Sequence, residues 1–127
     1  MKRSYEPDPK PRPTQRRPAR TVDPTATRAA VLRERGCVVC GRPAATGHHV
    51  LPRGRGGDDV AENLVALCGS GTTGCHGDIE NRDPAASRAL GDYLVAERRD
   101  VVAYLRRKLG IRPARAFLYR RYHVEVR

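Results

Sequence analysis

Four cysteines lie in two pairs in the middle of the 127-residue chain. Cys37 and Cys40 form a CxxC pair, and Cys68 and Cys75 form a wider pair with three glycines between them. Thiolates are soft ligands, and four of them around one ion make a closed tetrahedral zinc site. The CxxC spacing lets two sulfur atoms of one tight turn reach the same ion. The spacing therefore predicts a structural Zn²⁺ bound by all four cysteines.

Two other uses of the four cysteines are open: a pair of disulfides, or a thioredoxin-like redox pair. The charged, proline-rich N-terminus shows no apolar signal segment, so we expect a cytoplasmic protein whose thiols stay reduced. The βαβ pattern that surrounds a thioredoxin-like CxxC is missing as well. A structural zinc ion is therefore favoured, and it would replace a hydrophobic core that so short a segment cannot build.

Two adjacent histidines follow the first cysteine pair. His48 and His49 head a short apolar run that ends at Leu51, which predicts an extended strand. Neighbouring side chains of a strand point to opposite faces, so one imidazole can face a metal ion while the other faces a different reactant. Asn63 precedes a second extended run, 64–67, at hairpin distance across a glycine-rich loop. The two runs predict a β-hairpin that carries the histidine pair.

A third histidine lies immediately after the last cysteine. His76 opens a predicted short helix, and Glu80, four residues further on, shares its helical face. A hairpin with a histidine pair that faces a helix with a histidine and a carboxylate can hold one divalent ion beside a free imidazole. The alternative is that these histidines are extra zinc ligands or pack against loops. Their concentration inside one cysteine frame favours a catalytic site.

The composite motif resembles that of the HNH endonuclease family. The resemblance covers residues 37–81 and rests on the four cysteines and on the string HHVLPRGRGG…ENLVALC…CH. It implies a small α+β fold, the ββα-metal (His-Me) finger with a four-cysteine zinc site, flanked by helices. It also implies metal-dependent hydrolysis of DNA phosphodiester bonds, by nicking or by double-strand cleavage. Because many phage and bacterial proteins carry this finger, the resemblance further suggests a link to phage DNA packaging proteins.

The resemblance assigns a role to each polar residue of the motif. His49 corresponds to the general base, and Asn63 to the residue that holds the loop and the base in place. His48 and His76 correspond to ligands of the catalytic ion. Glu80 occupies a position where some members have a further ligand. Mg²⁺, Mn²⁺, Ni²⁺ and Zn²⁺ all stay open as the catalytic ion, because phosphate oxygens and imidazoles favour different metals.

Two positions depart from the family pattern. Glu80 stands where those members have histidine, so Asp78, Asn81 or a water molecule are alternative ligands. The loop between Cys68 and Cys75 is longer than the CxxC of many members. The first departure leaves the third ligand of the catalytic ion open, whereas the second concerns the geometry of the loop and not the zinc ion.

A histidine that acts as a general base needs a hydrogen-bond acceptor that orients its ring. A phosphate substrate needs cationic side chains near it. We expect a backbone carbonyl of the finger to accept a hydrogen bond from the second ring nitrogen of His49. Arg53 and Arg55 follow in the same loop and are predicted to contact phosphates of DNA. Solvated loop arginines are an equally good interpretation. Because no helix that would read bases is identifiable, we expect low sequence specificity.

Positive charge is concentrated at both ends of the chain. The formal net charge is +11; residues 1–24 have seven basic and three acidic residues, and residues 101–127 have eight and one. Counterion release would let such ends bind DNA in a salt-dependent way. Six of the ten prolines lie in 1–24, which predicts a disordered basic arm or a solubilising tail. The apolar runs are far shorter than the about 20 residues of a transmembrane helix.

Helical segments flank the motif on both sides. Proline and glycine positions predict four helices, at 25–35, 84–97, 100–109 and 113–122. Asp23 and Asp83 are the predicted N-caps of the first two. Tyr119 and Tyr122 are expected at the edge of the core, with stacking or phosphate binding as the alternative. We therefore divide the chain into a basic arm (1–24), an HNH zinc and ββα-metal domain with a leading helix (25–82) and a basic helical region (83–127).

Two other classes of function remain open. A non-catalytic zinc module would bind nucleic acid through the basic ends of the chain. A structural protein would dock its basic tail on acidic partners. Neither class needs the paired His48 and His49 together with His76, and this combination favours the nuclease.

Overall fold

The computed structural model describes residues 19–127, so most of the predicted arm over 1–24 lies outside the described residues. Within them the chain has an α+β fold, with one two-stranded antiparallel sheet and five α-helices. None of these helices is long and apolar enough to cross a membrane. The elements are α1 (Ala26–Glu34), β1 (Thr46–His49), β2 (Leu64–Leu67), α2 (Gly74–Glu80), α3 (Pro84–Glu97), α4 (Arg99–Leu109) and α5 (Ile111–Tyr122).

The C-terminal helices begin and end close to where the sequence predicts them. The carboxylate of Asp83 caps α3 by accepting a hydrogen bond from a backbone N–H of its first turn. Arg98 adopts a non-helical conformation between α3 and α4, and Gly110, at a φ of 96°, ends α4. α5 begins at Ile111, two residues before the predicted start, because Pro113 fits within the first turn of a helix.

The start of α1 differs from the prediction. Thr25 is the N-cap residue instead of Asp23, and its side chain makes no capping hydrogen bond. The Asp23 carboxylate accepts hydrogen bonds from the backbone N–H (3.0 Å) and the hydroxyl (2.7 Å) of Thr25. The N–H of Asp23 donates to the carboxylate of Asp59 at 2.9 Å. This residue therefore ties the start of α1 to the loop before β2 and does not cap the helix.

The β-hairpin carries the candidate site, and its first strand lies earlier than predicted. Val50 and Leu51 leave the sheet after β1 and are fully buried in the loop that follows. α1 packs closely on β1, since a Cβ atom at Gly47 would lie 2.9 Å from the carbonyl oxygen of Thr27. The register pairs Thr46 with Leu67, Gly47 with Ala66, His48 with Val65 and His49 with Leu64.

One hydrophobic core joins the hairpin to the C-terminal helices. Leu51 and Val65 belong to the same buried cluster as Leu90 of α3, Leu105 of α4 and Leu118 of α5. Each of these side chains is at most 1% exposed, and complete burial of one such side chain contributes about 2 kcal/mol. The C-terminal helices are therefore part of the same packed unit as the hairpin.

Candidate metal and catalytic site

The four cysteines form one cluster, as their spacing predicts. Their sulfur atoms lie within 4.8 Å of one another, and Cys40 Sγ lies 3.6 Å from Cys68 Sγ. A tetrahedral ion with metal–sulfur bonds of about 2.3 Å holds its sulfurs about 3.8 Å apart, whereas a disulfide bond is about 2.05 Å long. All four cysteines are free thiols. The cluster therefore has the dimensions of a four-thiolate metal site, and the disulfide alternative is wrong.

The loop between the second pair of cysteines folds back sharply. Gly69 has a φ of 79°, and a Cβ atom there would lie 2.1 Å from the carbonyl oxygen of Thr73, so only glycine fits. The N–H of Cys75 donates to Cys68 Sγ at 3.3 Å. Burial and the neighbouring thiols raise the pKa of Cys75. A bound cation would reverse this shift, because cysteines that coordinate a metal ion are deprotonated, so the cluster has the chemistry of a candidate structural metal site.

A second cluster combines His48 of β1 with His76 and Glu80 of α2. His48 Nδ1 lies 3.3 Å and His76 Nε2 lies 3.6 Å from Glu80 Oε1. One ligand atom from each residue lies within 4.8 Å of the other two. Among the described residues, Asp78 does not join this cluster. Glu80 is therefore the residue that could complete a metal-ligand set with the two histidines.

Hydroxyl groups hold the outer ring nitrogens of the two histidines. The Tyr122 hydroxyl donates to the carbonyl oxygen of Val50 (2.8 Å), so it accepts a hydrogen bond from His48 Nε2, 2.9 Å away. The Thr46 hydroxyl donates to a backbone carbonyl (3.2 Å) and lies 2.7 Å from His76 Nδ1. We therefore assign a proton to both outer nitrogens. The inner nitrogens then present lone pairs toward Glu80, as metal-binding imidazoles do.

Burial keeps both imidazoles in the form that binds metals. Desolvation lowers the pKa of His48, which is 3% exposed. Desolvation also lowers the pKa of His76. Neutral imidazoles and an ionised carboxylate are the protonation states in which these side chains coordinate a cation. The donor set, two nitrogens and one carboxylate oxygen, fits a divalent ion with positions left for substrate and water.

His49 points its Nε2 at a carboxylate. Asp59 Oδ1 lies 2.7 Å from this nitrogen, and the Asp59 side chain is 2% exposed. Burial raises the pKa of Asp59, but hydrogen bonds from the Asp23 N–H, His49 and Arg20 outweigh it and lower the pKa to about 2. The ionised carboxylate therefore accepts the Nε2 proton and leaves a lone pair on His49 Nδ1. The prediction of a backbone carbonyl as the orienting acceptor is wrong.

Asn63 is fully buried and closes the loop that follows His49. Its Oδ1 accepts a hydrogen bond from the N–H of Leu51 (2.8 Å). Its Nδ2 donates to the carbonyl oxygens of Leu51 (3.1 Å) and Asp58 (3.0 Å). Both halves of the side-chain amide are thus used to hold the two ends of the loop together. This position corresponds to the holding role that the family resemblance implies.

An open cavity of about 410 Å³ contains both adjacent histidines. His48 and His49 line it together, although neighbours in a strand are expected to face apart; β1 ends at His49, where the chain turns away. Arg53 lines the same cavity, as do Arg82 and Arg121, neither of which was predicted to belong to the site. Three guanidinium groups around a candidate cation site favour an anionic ligand such as a phosphate.

Arg55 and Tyr119 do not lie where the sequence predicts them. Arg55 stacks its guanidinium 5.0 Å from the ring centroid of Phe117 and is not among the residues that line the cavity. Tyr122 is fully buried, whereas Tyr119 is 58% exposed. The expected core position therefore fits Tyr122 alone. Arg53 is the loop arginine that the structure places beside the candidate base, with its Nε 3.4 Å from His49 Nε2.

Three further residues of the site were not predicted from the sequence, although sequence patterns indicate two of them. Asp59 belongs to the only acidic pair of the loop after His49. Thr46 precedes His48 by two residues on the same strand, so alternation puts both on one face. Tyr122 lies 74 residues from His48, with which it shares a hydrogen bond. No local pattern could connect those two residues, because only the packing of α5 brings them together.

A β-hairpin followed by a short helix, with two histidines and a carboxylate between them, defines a ββα-metal domain. Residues 37–82 match the family model described as HNH endonuclease. This part of the chain is therefore similar to an HNH endonuclease domain, and the match covers about a third of the 127 residues. No curated protein and no solved structure matches the chain.

Proposed function

We propose that this protein is a metal-dependent HNH endonuclease that hydrolyses DNA phosphodiester bonds, by nicking or double-strand cleavage, with low sequence specificity. One observation carries the proposal: two adjacent histidines have different partners in one cavity. His48 faces His76 and Glu80, while His49 is held by Asp59. A module that only binds nucleic acid has no need for the second imidazole and its buried carboxylate.

The reaction requires a base, which His49 supplies. Its Nδ1 accepts a proton from water while the water oxygen bonds to phosphorus and the bond from phosphorus to the 3′ oxygen breaks. Asp59 stays ionised and stabilises the imidazolium that forms. A divalent ion at His48, His76 and Glu80 would neutralise charge on the phosphate and on the leaving oxygen. The family resemblance implies a 5′ phosphate and a 3′ hydroxyl as products.

The DNA backbone is proposed to enter the cavity beside three arginines. The cavity is lined by Arg53 from the loop after β1, Arg82 from the turn after α2 and Arg121 from α5. Guanidinium groups bind phosphate oxygens in a bidentate manner. These contacts position the backbone without reading bases, which agrees with low sequence specificity. The basic ends of the chain would add salt-dependent affinity.

The cysteine cluster is proposed to hold structural zinc, for which four thiolates are a common donor set. The catalytic ion is a separate divalent cation, with Mg²⁺, Mn²⁺, Ni²⁺ and Zn²⁺ as candidates. The suggested link to phage DNA packaging proteins rests on the family resemblance alone and stays a prediction.

Plasmid cleavage tests the proposal. Chelator-treated protein receives each of the four candidate ions in turn, and wild type is compared with His49→Ala and with His123→Ala. His123 ends α5 and does not line the cavity, so it serves as a matched control. We expect wild type and His123→Ala to cut. His49→Ala should lose cleavage by about 100-fold or more, the usual size of a general-base effect.

The zinc content and the DNA affinity of each variant decide between the possible results. Loss of cleavage in His49→Ala with both quantities unchanged supports the general base. If wild type binds DNA and cuts none with any ion, the proposal fails. A non-catalytic zinc-binding nucleic-acid module is then the better description.

A further inference from the structure

The segment that precedes α1 lies along the loop that holds the candidate base. The N–H of Asp59 donates to the carbonyl oxygen of Thr21 at 2.9 Å. The N–H of Thr21 donates to the carboxylate of Asp58, and the N–H of Asp23 donates to Asp59 Oδ2 at 2.9 Å. Residues 20–23 were predicted to belong to a disordered arm, but they are hydrogen-bonded to the domain.

Arg20 makes the most direct contact of this segment. Its Nη2 donates to Asp59 Oδ1 at 2.9 Å, and its Nε donates to the carbonyl oxygen of Gly57 at 3.1 Å. The same Asp59 oxygen lies 2.7 Å from His49 Nε2. Two donors thus meet on one carboxylate oxygen, and Asp23 occupies the other oxygen. The rotation of the Asp59 carboxylate is fixed by residues on both sides.

We propose that Arg20 is a positioning residue for the reaction: it holds Asp59 so that the carboxylate accepts the Nε2 proton of His49 and keeps Nδ1 unprotonated. This inference rests on the proposed function. Arg20 lies outside the matched residues 37–82. The amino-terminal segment therefore contributes to catalysis through Asp59 and not only through its charge.

The environment of Arg20 separates this role from that of a DNA-binding arm. Its side chain is 21% exposed, and both contacts described above are made to the protein. Arg53 approaches the same Asp59 oxygen to 3.6 Å, but its side chain is 59% exposed. Without Arg20, Arg53 would become the main cation at Asp59. Because Arg53 also approaches His49 Nε2, it would favour the tautomer with Nε2 unprotonated, which is wrong for the base.

The test compares Arg20→Gln with Arg28→Gln, which removes the same charge from an exposed position of α1. Cleavage of a linear duplex gives kcat and KM, and equilibrium binding at fixed salt gives the DNA affinity. We expect Arg20→Gln to lower kcat by about 10-fold, as loss of an outer-shell partner does. KM and DNA affinity should stay within twofold of Arg28→Gln. Arg20→Lys keeps the charge at Asp59 and should restore part of kcat.

A fourth variant lacks residues 1–18 and keeps Arg20. The deleted segment carries six basic and two acidic residues. We expect weaker DNA binding with a flatter salt dependence and an unchanged kcat, the opposite of Arg20→Gln. If Arg20→Gln instead weakens DNA binding beyond Arg28→Gln and leaves kcat unchanged, Arg20 is a DNA contact and the inference is overturned. If Arg20→Gln does not fold, the comparison of Arg20→Lys with Arg28→Gln decides.

Imidazole ¹⁵N NMR at alkaline pH reads the tautomer of His49 directly and needs no cleavage. We expect a single Nε2–H tautomer in wild type and in Arg28→Gln, and a mixture in Arg20→Gln or Arg20→Lys. Identical tautomers in all of these proteins would overturn the positioning role. A wild type that cuts no DNA removes the proposed function, while the NMR comparison still determines whether Arg20 sets the tautomer.

Discussion

The two metal-ligand clusters of this protein are built in different ways. The cysteine cluster draws its four ligands from two tight loops, and glycine shapes the second loop next to its ligands. The histidine cluster has candidate ligands from β1 and α2. Each histidine is held by a hydroxyl group that lies far along the chain from that histidine. Tyr122 of α5 holds His48, and Thr46 of β1 holds His76.

The difference teaches what a spacing pattern can and cannot specify. Short spacing brings the sulfurs of each pair together, so within a pair the ligands and the turn are encoded in the same few residues. An imidazole must also be oriented so that the correct nitrogen faces the metal ion. The residue whose hydrogen bond sets this orientation can lie anywhere in the chain. The histidine cluster therefore depends on the C-terminal helices, which lie beyond the HNH match.

The largest expected effect comes from the cysteine cluster. Cys37→Ser removes one thiolate, and the metal free energy that folds such segments is on the order of 10 kcal/mol. We expect the hairpin region to unfold and the zinc-to-protein ratio to fall. Elemental analysis and thermal unfolding measure this, with Thr72→Ala in the exposed part of the second loop as the control. A zinc ratio equal to that of wild type would contradict the assignment of Cys37 as a ligand.

A smaller effect is expected at Glu80, which is the most exposed of the three candidate metal ligands at 47%. Glu80→Gln keeps the shape of the side chain and removes its charge. We expect Mn²⁺ affinity at the histidine cluster to fall on the order of 100-fold, because loss of a direct ligand should cost at least as much as the largest losses seen for residues that hydrogen-bond to ligands. Structural zinc should be retained. Calorimetric titration measures the affinity, and Asp78→Asn on the same helix is the control. A larger loss in Asp78→Asn would make Asp78 the ligand.

The fold was predictable where side chains mark the ends of elements. Asp83, Pro84 and Gly110 delimit α3 and α4, and the structure has these helices within one residue of the prediction. β1 was placed too late because Val50 and Leu51 resemble strand residues. They are apolar because they are buried in the core, where the loop enters it. An apolar run alone does not distinguish a strand from a buried loop.

The residue types of the candidate site were predictable for the same reason, and its hydrogen bonds were not. His48, His49, Asn63 and His76 occur in a dense motif whose residue types carry the chemistry. Asp59 was overlooked because a loop offers many backbone carbonyls as acceptors, and nothing in the spacing selects a carboxylate. Its selection depends on the segment 20–23, which supplies the donors that keep it ionised.

Tyr122→Phe is expected to have the smallest of these effects. It also distinguishes the two clusters, because it should change ion binding at the histidine cluster alone. It removes the hydroxyl that accepts from His48 Nε2 and donates to the carbonyl oxygen of Val50. His48 can then turn or change tautomer, so we expect Mn²⁺ affinity to fall about 10-fold. The zinc content of the cysteine cluster should not change.

Tyr119→Phe, on the same helix but 58% exposed, is the matched control and should bind Mn²⁺ like wild type. Loss of a buried hydroxyl also lowers stability by about 1 kcal/mol, so unfolding is measured in parallel. If both variants bind Mn²⁺ equally well, α5 supports the hairpin only by packing. If Tyr122→Phe loses zinc as well, the two clusters are coupled, and the contrast between a local and a long-range site does not hold.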